Sequence, residues 1–142
     1  MTVAAARPHT DAVVERLESV GLLVGRGEKP EGGGWQGEPD ASEHIEYVVL
    51  YPSPGLTDGN LCDPHSYLDY QVQATCVAAT QEGAEAVADT VRAALIGVRL
   101  TVTGRSLYPF QPVASSPATR DDAVAPPVHY AVEQFSCRSG PA

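Results

Sequence analysis

The chain contains one lysine, Lys29, and only nine lysine and arginine residues in all, against eighteen aspartate and glutamate. The formal charge of −9 argues against a phosphate-gripping surface, because affinity for nucleic acid needs clustered cations. It is compatible with a surface past which DNA slides without sticking, and equally with plain solubility. Cysteine is scarce too. Cys62, Cys76 and Cys137 are odd in number and unevenly spaced, so no disulfide framework is expected and the chain reads as one of a reducing cytosol. Aromatic residues make up 6% of the sequence, which leaves Val, Ala and Leu to build the core. No apolar run approaches the roughly 20 residues of a membrane span. The opening MTVAAARPHTDAVV has no charged stretch followed by an apolar one, so neither export nor membrane insertion is expected.

Chemical motifs are equally thin. There is no GxSxG and no HExxH. Gly32-Gly33-Gly34 is followed by neither GK[ST] nor a helix start, so its amides would not converge on a phosphate, and it reads as flexible spacing. His9, His44, His65 and His129 are scattered without the i, i+4 spacing of a zinc site. Cys62-Asp63-Pro64-His65 has the right residue types for a metal or a cysteine nucleophile, but lacks identifiable partners. Asp121-Asp122 is half of a divalent-cation site, yet Arg120 beside it favours a salt-bridged turn or a docking point. These absences point away from an enzyme: no catalytic residue, no metal and no cofactor is assigned.

What is present is one well-specified stretch, Tyr67 to Gly97. Leu68, Tyr70, Val72, Ala74, Cys76 and Ala78 alternate with Asp69, Gln71, Gln73 and Thr75, the period of a strand with one buried face. Thr80 then offers an N-cap hydroxyl, Glu82 and Glu85 place negative charge in the first turn, and Gly97 supplies a left-handed terminator. Between them Ala84, Val87, Ala88, Val91 and Leu95 share one stripe at 3.6-residue spacing, opposite Glu82, Glu85, Asp89 and Arg92. One continuous segment thus supplies a strand and a helix, the two layers of a two-layer sandwich.

The 142 residues fit one domain. Residues 1–8 read as a flexible arm, and a helix starting at His9 or Thr10 follows, with Val13, Val14, Leu17 and Val20 as its stripe and Gly21 as its end. Leu22 to Val24 is a short strand, Ile45 to Tyr51 a buried one stopped by Pro52, Pro54 and Gly55. After Gly97, VRLTV is expected to pair as a hairpin with SLYPFQPV, whose prolines mark an edge. The last strand, VHYAVEQFSC, alternates through Val128, Tyr130 and Val132 and then loses phase at Phe135. Residues 25–44 and 114–127 are long loops, the first carrying the lone Trp35 and the second the cluster Arg120, Asp121 and Asp122. Trp35 reads equally as an interface anchor and as a lid on the domain's own core.

Taken in order, HTDAVVERLESVGLLVG, GGGWQG, YVVLYPSPG, QVQATCVAATQEGAEAVADTVRAALIG, LTVTGR and RDDAVAPPVHYAVEQF resemble the tail terminator, or tail-to-head joining, proteins of long-tailed bacteriophages of actinobacterial hosts. The resemblance implies an α/β (α+β) subunit with two helices packed on one face of a mixed, mostly antiparallel sheet. It implies a homohexameric ring that caps the tail tube, ends tube polymerisation and joins the tail to the head-completion (stopper) protein. DNA would pass through the lumen without specific binding. The expected location is the tail-neck region of the virion, assembled in the host cytoplasm. Candidate contact residues are Trp35, Tyr108, Phe110, Arg120, Asp121 and Asp122, on the loops and the edge strand from Leu107 to Val113. The alternatives are another neck protein, or a small cytosolic metal-binding or enzymatic domain built on Cys62, Asp63 and His65.

Overall fold

The structure is a computed structural model that describes residues 3–123 and 126–142. Helix α1 (Arg7–Ser19) begins two residues earlier than the expected start, because Pro8 fits the first turn, where a missing N–H costs nothing. The arm before it is shorter than expected and partly fixed: Ala4 is buried and its N–H donates to the His65 carbonyl at 2.9 Å. Val13 and Leu17 face the core as expected, but His9 and Thr10 are buried beside them inside the helix rather than starting it, and Val20 is exposed.

Strand β1 (Val24–Arg26) follows, then the small hairpin of β2 (Gly34–Trp35) and β3 (His44–Ile45). The first long loop is therefore partly structured. Strand β4 (Tyr47–Asp58) runs straight through Pro52, Pro54 and Gly55, which the sequence reading took as stops. The backbone explains this. Val48 N–H donates to Leu23, and Leu50 C=O accepts from Gly27, so even-numbered residues here turn their polar groups away from the next strand, β5 (Tyr67–Ala78). Pro52 continues that outward set, where no ladder bond is lost, as edge prolines require. The register slips between Ser53 and Leu56, and Gly55 sits there with φ +75°, where a Cβ would overlap the Asp69 carbonyl.

β5 and helix α2 (Gln81–Leu95) form as read: Leu68, Tyr70, Val72, Ala74, Cys76 and Ala78 are all buried, and so is the stripe Ala84, Val87, Ala88, Val91 and Leu95. Thr80 Oγ1 accepts from the Gly83 N–H at 3.0 Å, satisfying one orphan donor of the first turn. Ile96 leaves the helix in an extended conformation and Gly97 follows with φ +73°.

The expected hairpin after Gly97 does not form. Residues 98–102 are not a strand, although Phe110 N–H bonds the Val98 carbonyl. Instead β6 (Arg105–Leu107), β7 (Gln111–Ser115) and β8 (Thr119–Asp121) line up in turn along the free side of the final strand, β9 (Val128–Pro141). A 14-residue strand offers more unpaired backbone than a local hairpin would, and it captures the second long loop as β8. Among the described residues the main sheet runs β1-β4-β5-β9, with only β1–β4 parallel. Both helices pack on one face, giving the expected α+β two-layer architecture.

β9 keeps perfect register with β5 from Leu68↔Ser139 to Ala78↔His129, and the irregularity expected at Phe135 falls on its other side, where the register with β7 shifts between Pro112 and Ala114, opposite Phe135 and Gln134. The helix-covered set is Ala131, Glu133, Phe135, Cys137 and Ser139; Val132 belongs to the opposite face. Glu133 hid that phase from a hydrophobicity reading. Its carboxylate is buried but accepts a hydrogen bond from Ser115 Oγ at 2.7 Å.

Candidate assembly surfaces

On the face of the sheet away from the helices, Tyr47, Val77 and Tyr130 stand in register across β4, β5 and β9. The β2–β3 hairpin folds over this apolar row. Trp35 pairs with His44, their rings edge to face at 5.0 Å, and His44 stacks on Tyr47 at 6.2 Å. The result is a cleft of about 410 Å³ bounded by Trp35, Tyr47, Val77, Tyr130, Lys29 and Asp121. Gly33 is packed against the Tyr47 ring, which an added Cβ would meet at 3.1 Å, so this part of the glycine run is fitted to the sheet rather than loose spacing. Trp35 Nε1 and His44 Nδ1 are buried there without a hydrogen-bond partner among the described residues. Burial lowers the pKa of His44, opposed by Glu46 and aided by Lys29, so the ring is held neutral.

The sequence-predicted residues separate into three groups. Trp35 and Asp121, 86 positions apart in the chain, line the same cleft. Arg120 and Asp122 form an exposed ion pair at 2.6 Å, and Asp121 Oδ1 accepts from the Ala123 N–H at 3.0 Å, closing a salt-bridged turn. Tyr108 is 57% exposed near Arg138, on the opposite half of the β9 edge. Phe110 is 0% exposed and meets Tyr70 edge to face at 6.3 Å. It is core, not contact surface. The stretch from Leu107 to Val113 is thus split, with Leu107 and Phe110 inside and Tyr108 and Val113 outside.

A second surface was not read from the sequence. The β4–β5 hairpin projects a tip, residues 56–66, on which Leu56 is 79% and Leu61 102% exposed. The tip is ordered by its own hydrogen bonds. Asn60 Oδ1 accepts from the N–H groups of Cys62 and Asp63 at 3.0 and 2.9 Å, and His65 Nδ1 bonds Thr57 Oγ1 at 2.9 Å. Arg138 braces its base, reaching Asp58 at 2.9 Å and Asp69 at 3.1 Å from a position 4.8 Å over the Tyr67 ring. Two aliphatic residues isolated among turn formers were the signal available in the sequence.

The candidate chemistry lies elsewhere or does not converge. His65 is spent on Thr57, and among the described residues no three His, Cys, Asp or Glu side chains come together as a metal site requires. Burial pushes the thiols of Cys76 and Cys137 up to about 12 and about 11, so they stay protonated and inert. Behind the sheet, Arg105 Nε donates to Ser139 Oγ at 3.0 Å, and His9 Nε2 lies 2.8 Å from the same oxygen. Ser139 Oγ thus accepts from Arg105 and shares a hydrogen bond with His9, whose pKa burial lowers and whose tautomer sets the direction of that bond. Ser139 is 0% exposed, so this serine–histidine pair joins α1 to β9 and meets no substrate.

No protein-family model matches the chain, and no curated protein matches it. Among solved structures, a chain of the virion of the native gene transfer agent particle shares the fold end to end. Its TM-score is 0.66 at 20% identity, over 98% of this chain and 99% of that one. A second solved structure matches with a TM-score of 0.57 at 14% identity over 96% and 94% of the two chains. The fold built here is therefore one that a virion particle also contains.

Proposed function

We propose that the chain is a structural virion protein that forms a ring on the end of a phage tail tube, stops tube growth and joins the tail to the head-completion complex. The observation that supports this most is the end-to-end fold likeness to a chain of a gene transfer agent virion, added to the resemblance of the sequence to tail terminators. The surfaces fit the role. An aromatic cleft and an apolar hairpin tip occupy different patches, as a closed ring of head-to-tail contacts requires. The net charge of −9 suits a lumen that does not hold DNA. The partners are further copies of the chain, the tail tube protein and the stopper protein; the site is the tail-neck region of the virion, and no catalysis is involved.

Mixing purified protein with growing tail tubes tests this. Six-fold rings at tube ends and arrested elongation are expected in negative stain. The triple variant Trp35→Ala, Asp121→Lys, Asp122→Lys should leave tubes open. Uncapped tubes with wild-type protein contradict the reading, and binding to the portal complex instead identifies a head-completion or adaptor protein.

A further inference from the structure

The cleft and the tip sit at opposite ends of one two-stranded ribbon. Tyr47↔Val77 marks the cleft end and Asp58↔Tyr67 the tip end. Ten residue steps of β5 separate them, about 33 Å at strand rise. A subunit therefore cannot place its own Leu61 in its own cleft. Each patch also lacks something the other has. Leu61 and Leu56 are large aliphatic side chains with no cover, at the end of a hydrogen-bonded and braced turn that holds them in place. The cleft offers about 410 Å³ walled by Trp35, Tyr47, Val77 and Tyr130, room enough for a leucine side chain and part of its turn.

One charge pairing is open as well. Residues 56–66 contain Asp58 and Asp63 but no lysine or arginine. Asp58 is already matched by Arg138, whereas Asp63 has no ion-pair partner among the described residues. Lys29, the chain's single lysine, stands on the cleft wall, likewise without an ion-pair partner among the described residues. Asp121 lines the cleft too, and its Oδ1 is engaged by the Ala123 N–H.

We infer that the occupant of the cleft is the hairpin tip of a second copy of this chain, with Leu61 seated under Trp35 against Tyr47 and Tyr130 and Asp63 meeting Lys29. The contact is heterologous, so each subunit gives one tip and receives one, and repetition closes a ring or runs on as a filament. Strand addition along the outer edge of β4 is disfavoured, because Pro52 and Pro54 have no N–H to offer. At this end of the ribbon a side-chain plug is therefore favoured over a strand pair. This inference rests on the ring reading and specifies its contact.

Cys62, next to Leu61, is exposed, while Cys76 and Cys137 are buried, so the native chain carries a single addressable thiol at the tip. Adding Lys29→Cys or Val128→Cys at the cleft and treating with a short bis-maleimide should give a ladder of covalent oligomers on a denaturing gel. Further replacement of Cys62 by Ser should abolish it, and a control cysteine at Glu18 on α1 should give none. Leu61→Asp should weaken self-association of the otherwise native chain about tenfold or more, measured by light scattering. Oligomers that form without a ladder, or with an equal ladder from the Glu18 position, overturn this contact and leave the ring reading standing. Protein that stays monomeric and leaves tube ends bare overturns both. A cleft ladder in protein that does not cap tubes supports the contact and refutes the terminator role.

Discussion

The two faces of the sheet are built from the same strands but differ in how far they are finished. Behind the helices, Val48, Leu50, Tyr70, Phe110 and Phe135 meet α1 and α2 with at most 2% exposure, and the polar groups that enter are bonded, Thr10 to Tyr70 at 2.6 Å, His9 to Ser139 at 2.8 Å and Glu133 to Ser115 at 2.7 Å. On the other face, Tyr47, Thr75 and Tyr130 are only half covered by a hairpin that leaves a cleft. Side chains alternate to the two faces, so the same strands supply both through alternate residues. The difference teaches that the subunit is stable because of one face and has surface to spend on the other.

The largest expected effect breaks the finished face. Val91→Asp buries a charge with no partner and should unfold the subunit, read as loss of the cooperative transition in circular dichroism. Gln73→Asp, in β5 but on the face away from the helices, should stay folded. Next, Phe110→Ala should cost about 3–5 kcal/mol in urea unfolding, whereas Tyr108→Ala, two residues away and exposed, should cost less than about 0.5 kcal/mol. If the two cost the same, the division of the Leu107 to Val113 stretch is wrong.

Acid should loosen both faces through one kind of group. Burial lowers His9 and His44 from 6.5. Above 6.5 both are neutral whether folded or not. As pH falls below that value the unfolded chain takes protons the native state refuses, so stability drops until the lowered native pKa is passed. The urea midpoint should fall from pH 7 to pH 5, and His9→Gln, whose amide can still hydrogen-bond Ser139, should flatten the slope. The smallest effect is at the cap: Thr80→Ala should cost about 1 kcal/mol, because the Gly83 N–H loses its acceptor.

The finished face was the legible one. From Tyr67 to Leu95 the buried positions were readable except Val77, buried on the other face of the sheet, and Ala94, since alternation, cap and stripe all reported one environment. The legible region ended where a residue answered to a distant partner. Pro52 and Pro54 read as stops because their tolerance depends on β4 having an open edge. Glu133 disguised the phase of β9 because its partner, Ser115, lies in another strand. The strands β6, β7 and β8 are short and polar, and exist because β9 offers them backbone. Of the surface, Trp35 and Asp121 stood out singly by residue type, but their shared cleft required the register of three strands. Leu56 and Leu61 passed as ordinary loop residues because exposure cannot be read without the hairpin that lifts them.

Hydrogen exchange of the chain before and after assembly on tube ends tests the division of the two faces most directly. The account predicts new protection in residues 28–36, 56–66 and 128–132, with residues 81–95 of α2 unchanged. New protection confined to the helices, with the cleft and the tip exchanging as freely as before, would contradict it.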